Sequence, residues 1–142
     1  MVGPYGYCAD ISRTYVEGNK FNDEQKKLYL MAVEQINHNA RLIKPGMSFK
    51  EFTEKSWVLP EEYYGNRYSV MVHGIGLCDE WPAIRYPTDG GERSGIFEKN
   101  MTITVESYIG KVGGNEGVKL EQQYLVGQNS LELMSHHPLE DI

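Results

Sequence analysis

The sequence predicts an α+β domain, with helices packed on the outer face of a curved antiparallel sheet. Three observations carry this expectation. Apolar residues recur at helical spacing early in the chain and stop at Pro45-Gly46. A second, shorter helical stretch follows at once. The last third then alternates apolar and polar residues on both sides of a Gly-rich turn, as a hairpin does. Strand, two helices, then several strands is the order of an α+β layer structure.

The elements follow in chain order. Residues 5–15 read as a strand leaving the Gly3-Pro4-Tyr5-Gly6 turn, with Gly6, Cys8 and Asp10 on one face by period two. Asn22 is a helix N-cap, and Asp23 and Glu24 suit the positive end of the helix dipole. Leu28, Ala32, Ile36, Ala40 and Ile43 then carry a helix to about Lys44. Ser48 opens a capping box with Glu51, Met47 can staple onto Phe52, and this helix ends before Pro60. Residues 68–72 form a short apolar strand that runs into His73-Gly74-Ile75-Gly76. Residues 79–95 read as a loop rich in Pro, Gly and charge. In residues 101–109, Ile103 and Val105 face one way, and Thr102, Thr104 and Glu106 the other. Gly113-Gly114-Asn115 turns the chain. In residues 118–126, Leu120 and Tyr124 share one face, and Glu121 and Gln123 the other. The polar stretch 128–142 is expected to be a peripheral tail after a domain spanning 1–127.

Composition narrows the function. The 142 residues allow one domain or part of one, with a core of useful size. Apolar residues at 40% and charged residues at 24% fit a soluble globular chain. A formal net charge of −6, without a Lys/Arg run, argues against a nucleic-acid surface. No apolar run approaches the roughly 20 residues of a membrane span. The two cysteines, Cys8 and Cys78, form no CxxC pair and read as small buried residues in a reducing, cytoplasmic compartment. No secretory pattern stands at the start, and Met1 is expected to be an internal methionine of a longer protein, or the sequence a fragment.

Asp10, His73, Glu106 and Glu121 each sit in a short motif: GYCADISRT, VHGIGL, TITVESYIG and GVKLEQQYLV. Carboxylates with one imidazole suit a pair of divalent ions better than a structural zinc, which favours Cys and His. Glu106 and Glu121 would share a hairpin face, where like charges need a cation or proton between them. Taken singly, each residue also has an ordinary reading. The glutamates can be solvated, His73 can be a hydrogen-bonded structural residue, and Asp10 can accept from Arg13 or local amides. Arg85 can pair with a substrate carboxylate but reads first as a surface ion-pair partner, and His136 and His137 read as exposed tail residues.

In their order, with LIKPGMSF between the first and second, the motifs resemble the catalytic domain of peptidase family M24. That family includes creatinase, prolidase, aminopeptidase P and methionine aminopeptidase. The resemblance covers nearly the whole chain. It implies the later portion of a pita-bread fold and a two-metal site with the ligand order Asp, Asp, His, Glu, Glu. By motif position Asp10 matches the second Asp, His73 the His, and Glu106 and Glu121 the two Glu, with Glu121 bridging the metals. Manganese, cobalt, zinc and iron all fit such donors. The first Asp is expected upstream of Met1, so this chain by itself is expected to bind metal weakly and to be inactive. A homodimer is expected for the full-length protein.

Two departures matter. The usual Pro-Gly before the first Glu strand is Lys99-Asn100, and Asn tolerates the left-handed conformation. Where peptidases of the family carry a second His, this chain has Asp79, an acceptor instead of a donor. Asp79 resembles the dimethylsulfoniopropionate lyase branch, in which an Asp acts as base and a Tyr, here Tyr68, helps hold the sulfonium. The expected reaction is β-elimination from a small zwitterion to dimethyl sulfide and acrylate. The alternative is hydrolysis of a short Xaa-Pro peptide by metal-activated water, which the missing His weighs against. A non-catalytic binding module is a third reading, opposed by the retained ligands.

Overall fold

A computed structural model describes residues 1–78, 80–91 and 94–142. Helix α1 spans Asp23–Leu42, α2 Phe49–Lys55 and α3 Glu61–Tyr64. The strands are β1 Val70–Gly74, β2 Ala83–Arg85, β3 Thr102–Gly110, β4 Gly117–Val126 and β5 Leu131–Leu133. They form one antiparallel sheet in the order β2-β1-β3-β4-β5. Among the described residues no helix is long and apolar enough to cross a membrane.

The helix starts form as their sequences dictate. Asn22 accepts from the Gln25 amide while the Gln25 side chain accepts from the Asn22 amide, a full capping box. Such a cap contributes about 1 kcal/mol. At the start of α2 only half of the expected box forms: Ser48 accepts from the Glu51 amide, while the Glu51 carboxylate accepts from Lys55 at 2.7 Å. Helix α1 lies across β3 and β4 and buries Leu28, Tyr29, Ala32 and Ile36 against Val105, Ile109 and Leu120 of the helix-facing side. Phe52 and Phe97 meet edge to face at 5.7 Å, both fully buried, and each contributes about 1.5–3 kcal/mol by burial.

One polar link crosses this core. Gln35 of α1 donates to the Tyr86 hydroxyl at 2.5 Å and accepts from Ser107 of β3 at 2.5 Å, so each buried group is paired. Burial pushes the Tyr86 phenol up to about 12, although the Gln35 bond acts the other way. An unfolded tyrosine ionises near 10.0, so this contribution is complete below that pH and is lost as pH rises toward about 12. Urea melts at pH 9 and pH 11 should show that loss. It should be smaller in Tyr86→Phe; an equal loss in both proteins would assign it elsewhere.

Several expectations change. Residues 5–15 are not a regular strand. They hold a 3-10 turn at Pro4–Gly6 and isolated bridges, Val2 to Cys8 and Ser12 to Glu121, because Gly and Pro break the extended run. The segment expected to be a loop contains β2, and the one before the first strand contains α3. The residues after Val126 do not simply trail away: β5 pairs with β4, Leu139 and Ile142 pack on the core, and the Glu140 amide donates to the Tyr29 hydroxyl at 2.6 Å. Cys8 is half-buried and Cys78 exposed, so neither is the buried residue expected. Arg85 donates to the Ser69 hydroxyl, and among the described residues it forms no ion pair. Asn100 takes the left-handed conformation expected of it, with φ +72°.

Candidate metal centre

The sheet places three of the four ligand candidates by register. Glu106 pairs directly with Glu121 across β3 and β4, and His73 pairs with Thr104 across β1 and β3. Parity along each strand then puts His73, Glu106 and Glu121 on the face opposite α1. Asp10 arrives from the irregular N-terminal segment. Its neighbour Ser12 bridges Glu121 through both backbone bonds, at 3.1 and 3.4 Å. The Asp10 amide donates to the Gln123 side chain at 3.3 Å. Asp10, His73 and Glu121 thus each offer a ligand atom, all within 4.8 Å of one another. Glu106 is beside this cluster, with Oε1 3.7 Å from His73 Nε2.

The electrostatics follow from burial and from these neighbours. His73 Nδ1 is 3.0 Å from the Gly74 carbonyl, an arrangement that makes Nδ1 the donor and turns Nε2 toward the carboxylates. Nε2 stands 3.2 Å from Glu121 Oε1. Burial alone would lower the His73 pKa. The Glu121 hydrogen bond, the Gly74 carbonyl and the Glu121 and Glu80 charges outweigh it, and the pKa is raised. Burial likewise acts to raise Glu121, but the His73 bond, the Lys119 charge and the Ser12 hydroxyl at 3.0 Å hold it below the usual carboxylate range. Glu106 is buried, its Oε2 accepts from Lys119, and its Oε1 has no hydrogen-bond partner among the described residues.

These residues fit divalent ions. The donors are hard oxygens with one imidazole, and a buried carboxylate oxygen without a donor facing the cluster is what an ion would satisfy. Tyr68 stands at the rim, 38% exposed, and donates to Glu80 Oε1 at 3.2 Å. Burial, then the Glu80 charge and bond, raise its pKa. Asp79 lies outside the described residues.

Ser12, Arg13 and Lys119 join the site without belonging to the ligand set that the motifs imply. Arg13 donates to the Glu121 carbonyl at 2.6 Å, to Gln122, and to the carbonyls of His137 and Pro138, tying the C-terminal segment to the strand that carries Glu121. Lys119 had a legible signal: it stands two residues before Glu121 and so shares its face. His73 is followed by a tight crossing. A Cβ on Gly74 would run into the Trp81 carbonyl, and the Gly74 amide donates to the Pro82 carbonyl at 2.9 Å. Gly74→Ala should therefore cost about 1–3 kcal/mol in a denaturant melt. An unchanged melt would mean that the segment after Cys78 yields freely.

The metallopeptidase family M24 profile matches residues 1–128. The chain belongs to family M24. This M24 chain is 36% identical to a dimethylsulfoniopropionate lyase, DddP, of Roseovarius nubinhibens over 144 aligned residues, covering 99% of the chain and 32% of the relative. It is 31% identical to a Xaa-Pro dipeptidase of Pyrococcus furiosus, covering 91% of the chain and 36% of that protein. The prolidase structure from Pyrococcus horikoshii superposes with a TM-score of 0.78 at 27% identity, over 96% of this chain and 38% of that one. The expected pita-bread fold is thereby shown. The chain spans about a third of the length of these curated relatives.

Proposed function

We propose that the chain is the later part of an M24 catalytic domain that holds two divalent metal ions and catalyses β-elimination on a small zwitterion. The substrate is dimethylsulfoniopropionate, and the products are dimethyl sulfide and acrylate. The observation that carries the site is the convergence of Asp10, His73 and Glu121 within 4.8 Å, with Glu106 alongside. What favours the lyase is the 36% identity to DddP over nearly all of the chain, together with Asp79 where peptidases carry a His.

Asp10, His73, Glu106 and Glu121 would hold the ions. When bound, the ions supply Lewis acidity to the substrate carboxylate and so acidify the adjacent C–H. Asp79 takes that proton. The C–H electron pair forms the C=C bond of acrylate, and the C–S pair leaves on sulfur as dimethyl sulfide. Tyr68 offers an aromatic face to the sulfonium; the same ring already receives the Lys119 ammonium at 4.2 Å.

Xaa-Pro peptide hydrolysis is the second reading, favoured by the 31% identity to a Xaa-Pro dipeptidase. The purified, metal-loaded full-length protein, given dimethylsulfoniopropionate and a Xaa-Pro dipeptide in parallel, separates them. Dimethyl sulfide without peptide cleavage is expected, and peptide cleavage without dimethyl sulfide would sink the lyase. The full-length protein is read as a cytoplasmic homodimer, for which a monomer mass by light scattering would refute the second half.

A further inference from the structure

We propose that Lys119 and a metal ion compete for the Glu106 carboxylate, so that this chain carries its own counter-cation within the site; the inference rests on the metal reading above. The two oxygens of Glu106 have different surroundings. Oε2 accepts from Lys119 Nζ, which reaches across from the neighbouring strand β4. Oε1 has no donor among the described residues and faces His73 Nε2 at 3.7 Å. The Glu106 side chain is only 2% exposed, and a buried carboxylate without a positive partner is costly. Lys119 supplies that partner.

The lysine is built to move without the strand. Thr14 fixes its backbone on both sides, its hydroxyl donating to the Lys119 carbonyl at 2.8 Å and accepting from the Lys119 amide at 3.0 Å. The side chain beyond is 31% exposed, so the ammonium can swing to solvent around its own flexible stem. A second contact holds it inward: Nζ lies 4.2 Å from the centre of the Tyr68 ring. A divalent ion drawing on both Glu106 oxygens must take Oε2 from the ammonium, and the two cations repel at this range. Lys119 should therefore stabilise the protein before metal loading and weaken the loading itself.

The test compares the full-length protein with its Lys119→Met variant, both stripped with chelator and then titrated with manganese, free ion being followed by paramagnetic resonance. Stripped Lys119→Met should melt at least about 5 °C lower than the stripped parent. It should bind manganese about tenfold more tightly. In a Glu106→Gln background the same substitution should lower the melting temperature by clearly less, since the Glu106 charge is gone and only the remaining carboxylates, Glu121 among them, still feel the Lys119 charge. Should Lys119→Met fail to fold, Lys119→Gln is read by the same criteria. Equal melting of the stripped proteins, or equal or weaker manganese binding by the variant, would overturn the competition and leave the metal site standing. Failure of both proteins to bind manganese would overturn the inference and the metal reading together.

Discussion

Glu121→Gln is expected to lower divalent metal affinity by about 100-fold or more while leaving the sheet folded. Loss of a supporting partner alone costs metal sites about 10–100-fold, and Glu121 is proposed as a ligand itself. The substitution keeps the volume and removes the charge. It falls where charge matters, since Glu121 meets His73 Nε2 at 3.2 Å and the Ser12 hydroxyl at 3.0 Å, and pairs in register with Glu106. Turnover by the full-length protein should fall with metal content. Elemental analysis of the purified variant decides the point: full metal content would remove Glu121 from the ligand set.

Asp79→Ala in the full-length protein should reduce elimination by about 10²–10⁴-fold, the range of a lost general base, with metal content unchanged. The two substitutions thus separate ion holding from proton transfer. If Asp79→Ala loses metal in step with activity, Asp79 serves the site as a ligand or a structural group. If it loses neither, the base is another residue.

Much of the fold is legible because it is written in local period. The apolar repeat from Leu28 to Ile36 and the caps at Asn22 and Ser48 describe α1 and α2 closely. The alternation in TITVESYIG and GVKLEQQYLV puts Glu106 and Glu121 on one face before any distance is known. The illegible elements lack that repeat. Strand β2 has three residues between Pro82 and Pro87, too few to show a period. Strand β5 is a largely exposed Leu-Glu-Leu whose pairing depends on β4 beside it. The segment around Asp10 is held by single bridges to distant backbone, which no local pattern announces.

The sequence by itself determined the family, the side of the sheet on which the carboxylates lie, and the chemical character of the donors. Those follow from residue type and strand parity, which are local properties. Only the tertiary structure decided how the charges are shared. It set His73 on Glu121, gave Ser12 to the same carboxylate, and brought Lys119 to Glu106 and over Tyr68. The reason is physical: these contacts join segments far apart in the chain, and their lengths depend on cross-strand register and side-chain reach.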